Sequence, residues 1–347
     1  SFIQKNLIWA IPVTMILGLI YGSNADPSAF KSAIMPLTFL MVYPMMVNLQ
    51  IDRVFTTQGL RVQGVTQFLN FGVIPFFAYG LGLWFFPNDE FVRLGLLLAA
   101  LLPTSGMTIS WTGFAKGDMT AAVKMTVIGL ILGSVATPLY AKALMGSTID
   151  IPLVGIFKQI ALIVFLPMVM GYITQKFIIK KYGREAYQKR IKMKFPPIST
   201  IGVLGIVFVA MALKADSILS NPAQLGKYLV PLAILYTVNF AISTWVGKTF
   251  FNRGEAIALV YGTVMRNLSI ALAIAMTAFD ERGADIAVII AMAYIIQVQA
   301  AAWYVKLTDR LFGPAPGART ESVQVEDRAA RQRGVRGCSL DPWGCGE

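Results

Sequence analysis

The stretch Glu255–Phe279 reads EAIALVYGTVMRNLSIALAIAMTAF, and an earlier stretch, Phe91–Phe114, reads FVRLGLLLAALLPTSGMTISWTGF. Each is long and apolar enough to cross a bilayer core about 30 Å thick, which takes ~20 helical residues. Each is also interrupted near its middle, the first by Thr263, Arg266 and Asn267, the second by Pro103, Thr104, Ser105 and Gly106. Pro103 removes a backbone donor and disfavours helix at Leu102, while Gly106 relaxes the chain. A helix broken inside lipid leaves N–H and C=O groups that only protein, water or a ligand can satisfy. Pro103 alone reads equally well as a kink, but two such breaks in one chain favour a binding site.

Working outward, eight further apolar runs have membrane-spanning character: Leu7–Tyr21, Ala33–Leu49, Val65–Phe86, Thr120–Leu144, Val154–Phe177, Ile198–Leu213, Tyr228–Phe250 and Asp285–Leu307. The runs are continuous rather than alternating, which selects helices over barrel strands. The sequence therefore predicts an all-α polytopic membrane protein with ten transmembrane helices. The interrupted spans fall fourth and ninth, each followed by a long span. Five helices per half is an odd number, so residues 1–150 and 151–312 are expected to form two repeats inverted across the membrane. From Gly313 the chain turns Pro-, Gly- and Arg-rich, and residues 313–347 are expected to be a disordered tail.

The 347 residues are 56% hydrophobic and only 14% charged, outside the range of a soluble domain of this length. The net charge of +12 does not point to nucleic acid, because the basic residues cluster between apolar runs as topology signals do. Lys176, Lys180, Lys181, Arg184, Lys189, Arg190, Lys192 and Lys194 stand against Glu185 alone between the sixth and seventh spans. That segment, and by parity Lys5, Arg53 and both termini, is assigned to the cytoplasmic side of an inner membrane. Histidine is absent, the two cysteines (Cys338 and Cys345) lie in the tail, and no P-loop or metal-ligand spacing occurs. No signal peptide, metal site, cofactor or enzymatic chemistry is expected, and nothing in the sequence sets an oligomeric state.

Arg266 lies halfway along an apolar span, where a charge costs several kcal/mol on insertion scales (of order 2.5–3.5) unless paired or hydrated. No acidic residue lies three or four positions away. Two readings stand: Arg266 faces a central cavity and binds an anion, or it is a structural cation held by backbone carbonyls of the crossing. The positive ends of half-helices starting near Gly106 and Asn267 favour the anion. Candidate substrate-binding residues are Arg266, Asn267, Thr104, Ser105, Gly106, Thr108, Thr263 and Ser269, with Ser110, Asn70, Asn239, Gln297 and Gln299 as possible lining. The bland alternative for each Ser, Thr and Asn is a bond to a neighbouring helix. Lys124 is expected to reach the membrane interface.

PTSGMTISWTGFAKGD (Pro103–Asp118), MVYPMMVNL (Met41–Leu49) and RNLSIALAIA (Arg266–Ala275) together resemble the bile acid:sodium symporter and arsenical-resistance permease superfamily, closer to its arsenite-permease branch. The resemblance covers residues 7–307. It implies a core domain and a panel domain, with helices 4 and 9 crossing in the core. It also implies two departures: Thr104 stands where arsenite permeases carry a cysteine and Ser269 where they carry a glutamate, which removes the soft sulfur that trivalent arsenic prefers. Ile109, Gly262 and Arg266 stand where the sodium-coupled branch binds Na⁺, and a guanidinium repels that ion. The sequence thus points to a secondary or facilitated transporter of a small organic anion or oxyanion by alternating access, in contact with membrane lipid and not coupled to sodium. Arsenite or antimonite efflux, sodium-coupled organic anion symport, and a non-transporting membrane sensor or scaffold are the alternatives.

Overall fold

A computed structural model describes residues 7–49, 59–147, 153–220, 222–279 and 282–314. The expectations for Lys5, Arg53, the tail after Pro314 and its two cysteines lie outside the described residues. Within them the regular structure is helical, apart from a single isolated antiparallel bridge. In chain order the helices are α1 (Leu7–Asn24), α2 (Ile34–Val47), α3 (Leu60–Phe85), α4 (Glu90–Leu101), α5 (Gly106–Phe114) and α6 (Met119–Met145). There follow α7 (Leu153–Tyr182), α8 (Phe195–Leu213), α9 (Ala215–Ser220), α10 (Ala223–Phe250), α11 (Arg253–Val264), α12 (Leu268–Ala278) and α13 (Gly283–Phe312).

Seven helices among the described residues are long and apolar enough to cross a membrane, and the chain is a polytopic membrane protein. Lipid explains why they are helices: only structures that satisfy every backbone group internally can face hydrocarbon. The boundaries differ from the sequence expectations mainly at polar ends. α3 begins at Leu60 rather than Val65, and α7 runs on to Tyr182 through its lysines. Residues 184–194 are helical turns leading into α8, with Tyr187 donating to the carbonyl of Val47 at 2.9 Å. Three π-helical turns, Leu69–Val73, Ala161–Phe165 and Tyr187–Ile191, had no signature in the apolar pattern.

The fourth and ninth spans are each two helices in succession, α4 then α5 and α11 then α12. All four pieces start with a side-chain cap. The Asp89 carboxylate accepts from the amide of Val92, Ser105 Oγ from Met107, Asn252 Oδ1 from Glu255, and Asn267 Oδ1 from Ile270. Ser105 and Thr108 also bond reciprocally as a capping box. Short polar residues that compete for backbone donors are what begin a helix anew after a break.

The packing sorts the helices into two groups. α8 lies along α1 and α2, and α7 along α2, with glycines allowing close approach: a Cβ on Gly202 would come within 2.5 Å of the amide nitrogen of Met41. α3 to α6 and α10 to α13 pack among themselves. The groups meet where α13 contacts α8 and α1, where α12 contacts α2 and α7, and where α6 contacts α7.

Candidate functional site

The two interruptions touch. Pro103 and Arg266 form the antiparallel bridge, and the Asn267 amide donates to the Leu102 carbonyl at 2.7 Å. Extended backbone thus pairs with extended backbone where helical bonds are missing. Four further backbone groups are met by carboxamides from three other helices. Gln297 on α13 accepts the Arg266 amide at 2.8 Å and donates to the Arg266 carbonyl at 3.1 Å, and its oxygen also accepts the Tyr236 hydroxyl at 2.9 Å. Asn239 on α10 donates to the Thr263 carbonyl, and Asn70 on α3 to that of Gly262, both at 3.0 Å.

A cavity of about 260 Å³ lies against the beginnings of α5 and α12. Ser105, Gly106 and Met107 line it from one half-helix, Asn267 and Ser269 from the other. Tyr294, hydrogen-bonded to Ser269 at 2.5 Å, forms part of the wall. The cavity extends between the two groups of helices to Asn48, Leu49, Lys192 and Pro196. The positive dipole ends of two half-helices open onto this space, which suits an anion, although the cap oxygens of Ser105 and Asn267 each take one amide donor.

The expected residues divide accordingly. Ser105, Gly106, Ser110, Asn267 and Ser269 come together at the cavity; Thr104, Thr108, Thr263 and Arg266 do not line it. Thr104 is fully buried, and its hydroxyl lies 2.7 Å from the carbonyl of Pro103 and 3.2 Å from those of Met125 and Thr126 on α6. It adopts φ +63°, a left-handed conformation that costs a β-branched residue about 1–3 kcal/mol. Gly129 makes room for it, since a Cβ there would lie 2.6 Å from the threonine hydroxyl. Thr108 closes the capping box, and Thr263 bonds to Ser243 at 2.6 Å.

Arg266 is 2% exposed, and its two terminal guanidinium nitrogens meet no hydrogen-bond partner. Neither reading of the residue fits whole: it does not reach the cavity, and no carbonyl of the crossing holds its terminal nitrogens. Its backbone builds the crossing while its side chain is buried outside the cavity lining. Lys124 corrects the expectation of an interfacial lysine, being 1% exposed in the protein interior. Asn70, Asn239 and Gln297 support the break from behind, and Gln299 is exposed. Sequence reasoning missed Asn48, Lys192 and Tyr294 as lining; only Tyr294, a polar tip in mid-span, carried a signal. No group of three or more potential metal ligands occurs among the described residues.

Comparison with known proteins places these features in context. Residues 35–221 match the model of the Sodium Bile acid symporter family. The Arsenical-resistance protein Acr3 of Alkaliphilus metalliredigens is 26% identical over 79% of this chain and 80% of its own length. The protein of the same name from Corynebacterium glutamicum is 23% identical over 82% and 83%. The Sodium/bile acid cotransporter 7 of Rattus norvegicus is 24% identical over 53% and 54%.

Proposed function

This chain belongs to the sodium bile acid symporter family and is a transporter rather than an enzyme, and on that premise we propose that it moves a small organic anion or oxyanion by alternating access, without sodium coupling. One observation carries the reading: the N-termini of α5 and α12, from opposite halves of the chain, open onto one cavity. The anionic group of the substrate sits between these ends, hydrogen-bonded by Ser105, Asn267 and Ser269, while Met45, Leu130 and Val203 bound its apolar part. Arg266 contributes charge from outside the cavity lining rather than a direct contact in this state.

The same reading takes the chain as ten spans in two inverted repeats, residues 1–150 and 151–312, with α4–α5 and α11–α12 as the matching broken spans. The paired caps support it. The helices α1, α2, α7 and α8 form the panel, α3 to α6 and α10 to α13 the core, and the substrate moves as one group rocks against the other. The chain sits in the inner membrane with both termini, tail included, in the cytoplasm, so the basic segment and the Lys192 end of the cavity face inward.

Arsenite efflux is a second reading, favoured by the two Acr3 relatives, each matched over about four-fifths of its length. Against it stands the donor set: both cysteines are in the tail, so the lining offers oxygen and the thioethers of Met45 and Met107 but no thiolate. Thermal unfolding of the purified protein against small carboxylates, phosphate, sulfate and arsenite, in Na⁺ or K⁺ salts, decides between them. A ligand at a hundred times its Kd adds about 2.7 kcal/mol of apparent stability. The proposal expects stabilisation by a carboxylate or oxyanion equally in Na⁺ and K⁺. Stabilisation by arsenite alone, or only in Na⁺, overturns it.

A further inference from the structure

The cavity reaches only one end of the helices that line it. On α8 its lining residues run from Pro196 to Val203, and beyond them Ile206, Val207 and Val209 to Ala212 are buried in the protein. Lys214 follows α8 at the far end, about 27 Å along the axis from Pro196 at 1.5 Å per residue. There its ammonium lies 2.7 Å from the carboxylate of Asp285, in the first turn of α13. Both side chains are about one-quarter exposed, 23% and 24%. The pair therefore joins one group of helices to the other at the end that the cavity does not reach.

From this placement we infer that Lys214 and Asp285 form the outer gate of the transporter, an ion pair that closes the far side while the cavity is open toward Lys192. The inference rests on the alternating-access reading above and gives it a specific latch. Rocking α8 away from α13 to expose the site on the far side must separate the two charges, because each belongs to a different group of helices. Arg282 makes a longer contact, 3.7 Å, with the second oxygen of Asp285, and its guanidinium lies 4.9 Å from the centre of the Phe91 ring. Those partners all belong to the same group, so Arg282 keeps the acid in place without bridging the groups. Released from Lys214, the Asp285 carboxylate keeps a cation beside it, which lowers the cost of opening. At the opposite end Arg253 bonds to the Lys116 and Gly313 carbonyls and pairs with Asp309. These contacts also stay within one group.

The test uses one reporter thiol at the site. Gly106 is exposed, and a Cβ added there meets nothing within 4 Å, so Gly106→Cys fits. Combined with Cys338→Ser and Cys345→Ser, it leaves a single thiol in the full chain. Its labelling by a membrane-impermeant thiosulfonate is followed from each face of oriented vesicles. With the pair intact, labelling proceeds from the Lys192 side and is slow from the far side. Lys214→Ala or Asp285→Asn should raise the far-side rate about five-fold, equivalent to ~1 kcal/mol at 1.4 kcal/mol per decade. The exchanged pair, Lys214→Asp with Asp285→Lys, should restore protection, and Arg282→Ala should leave the rate within two-fold of the parent. Labelling from the Lys192 side reports that each variant is folded. Unchanged far-side labelling in both single variants, or a rate raised equally by Arg282→Ala, overturns the gate. No labelling from either face in the parent would instead overturn the cavity as the substrate site.

Discussion

Replacing Gln297 by methionine tests how the crossing is held together. The side chain is fully buried and makes three hydrogen bonds: to the Arg266 amide, the Arg266 carbonyl and the Tyr236 hydroxyl. Methionine keeps the approximate length and volume and removes both the donor and the acceptor, so three buried polar groups lose their partner. Side-chain hydrogen bonds within membrane proteins contribute about 0.6 kcal/mol on average and up to ~1.7 each, which puts the loss at roughly 2–5 kcal/mol. At roughly 2 °C per kcal/mol for a chain larger than 250 residues, that is a fall in Tm of about 4–10 °C. The assay is thermal unfolding in one detergent, with Asn239→Ala as comparison. Asn239 gives one bond to the Thr263 carbonyl and accepts one from Ser243, so a smaller fall is expected. A Gln297→Met protein unfolding within 2 °C of the parent, or no less stable than Asn239→Ala, would refute the carboxamide support of the break.

Arg266→Gln removes the buried charge and should weaken binding of the stabilising anion at least ten-fold, while Arg266→Lys retains part of the affinity; isothermal titration measures both. Asn267→Ala removes the cap of α12 and should cost about 1 kcal/mol of stability together with anion affinity, both read from unfolding with and without the anion. Thr104→Cys places a thiol against the α6 carbonyls instead of in the cavity, so it should not produce arsenite-dependent stabilisation; such stabilisation would show that the side chain turns toward the cavity.

Both broken spans were legible in the sequence because their causes are local. Pro103 and Gly106 interrupt one helix, Arg266 and Asn267 the other, and Ser105 and Asn267 proved to be the caps that start the second halves. What was not legible depends on which way a side chain turns. Thr104 and Thr263 looked like lining, yet their hydroxyls bond away from the cavity, to α6 carbonyls in one case and to Ser243 in the other. Arg266 drew attention to the break by its cost in lipid, but the sequence did not show that its side chain is buried outside the cavity lining, where its backbone pairs with Pro103. Lys124 reads as interfacial because it lies near the start of its span, yet it is buried in the protein. Lys192 and Asn48 come to the cavity end from distant segments, the Asn48 side-chain Nδ2 donating to the Lys192 carbonyl at 3.1 Å. No local pattern encodes such a contact.

Uptake of the stabilising anion into proteoliposomes, measured with and without Na⁺ for the parent and for Gly106→Trp, is the most direct test of transport through this cavity. A tryptophan at Gly106 projects into the open space between the two helix N-termini and fills it. Saturable uptake by the parent, unchanged when Na⁺ is replaced by K⁺ and abolished by Gly106→Trp in a folded protein, is the predicted result. Uptake that needs Na⁺, or that persists with the cavity filled, would contradict a sodium-independent anion pathway at the crossing of the broken helices.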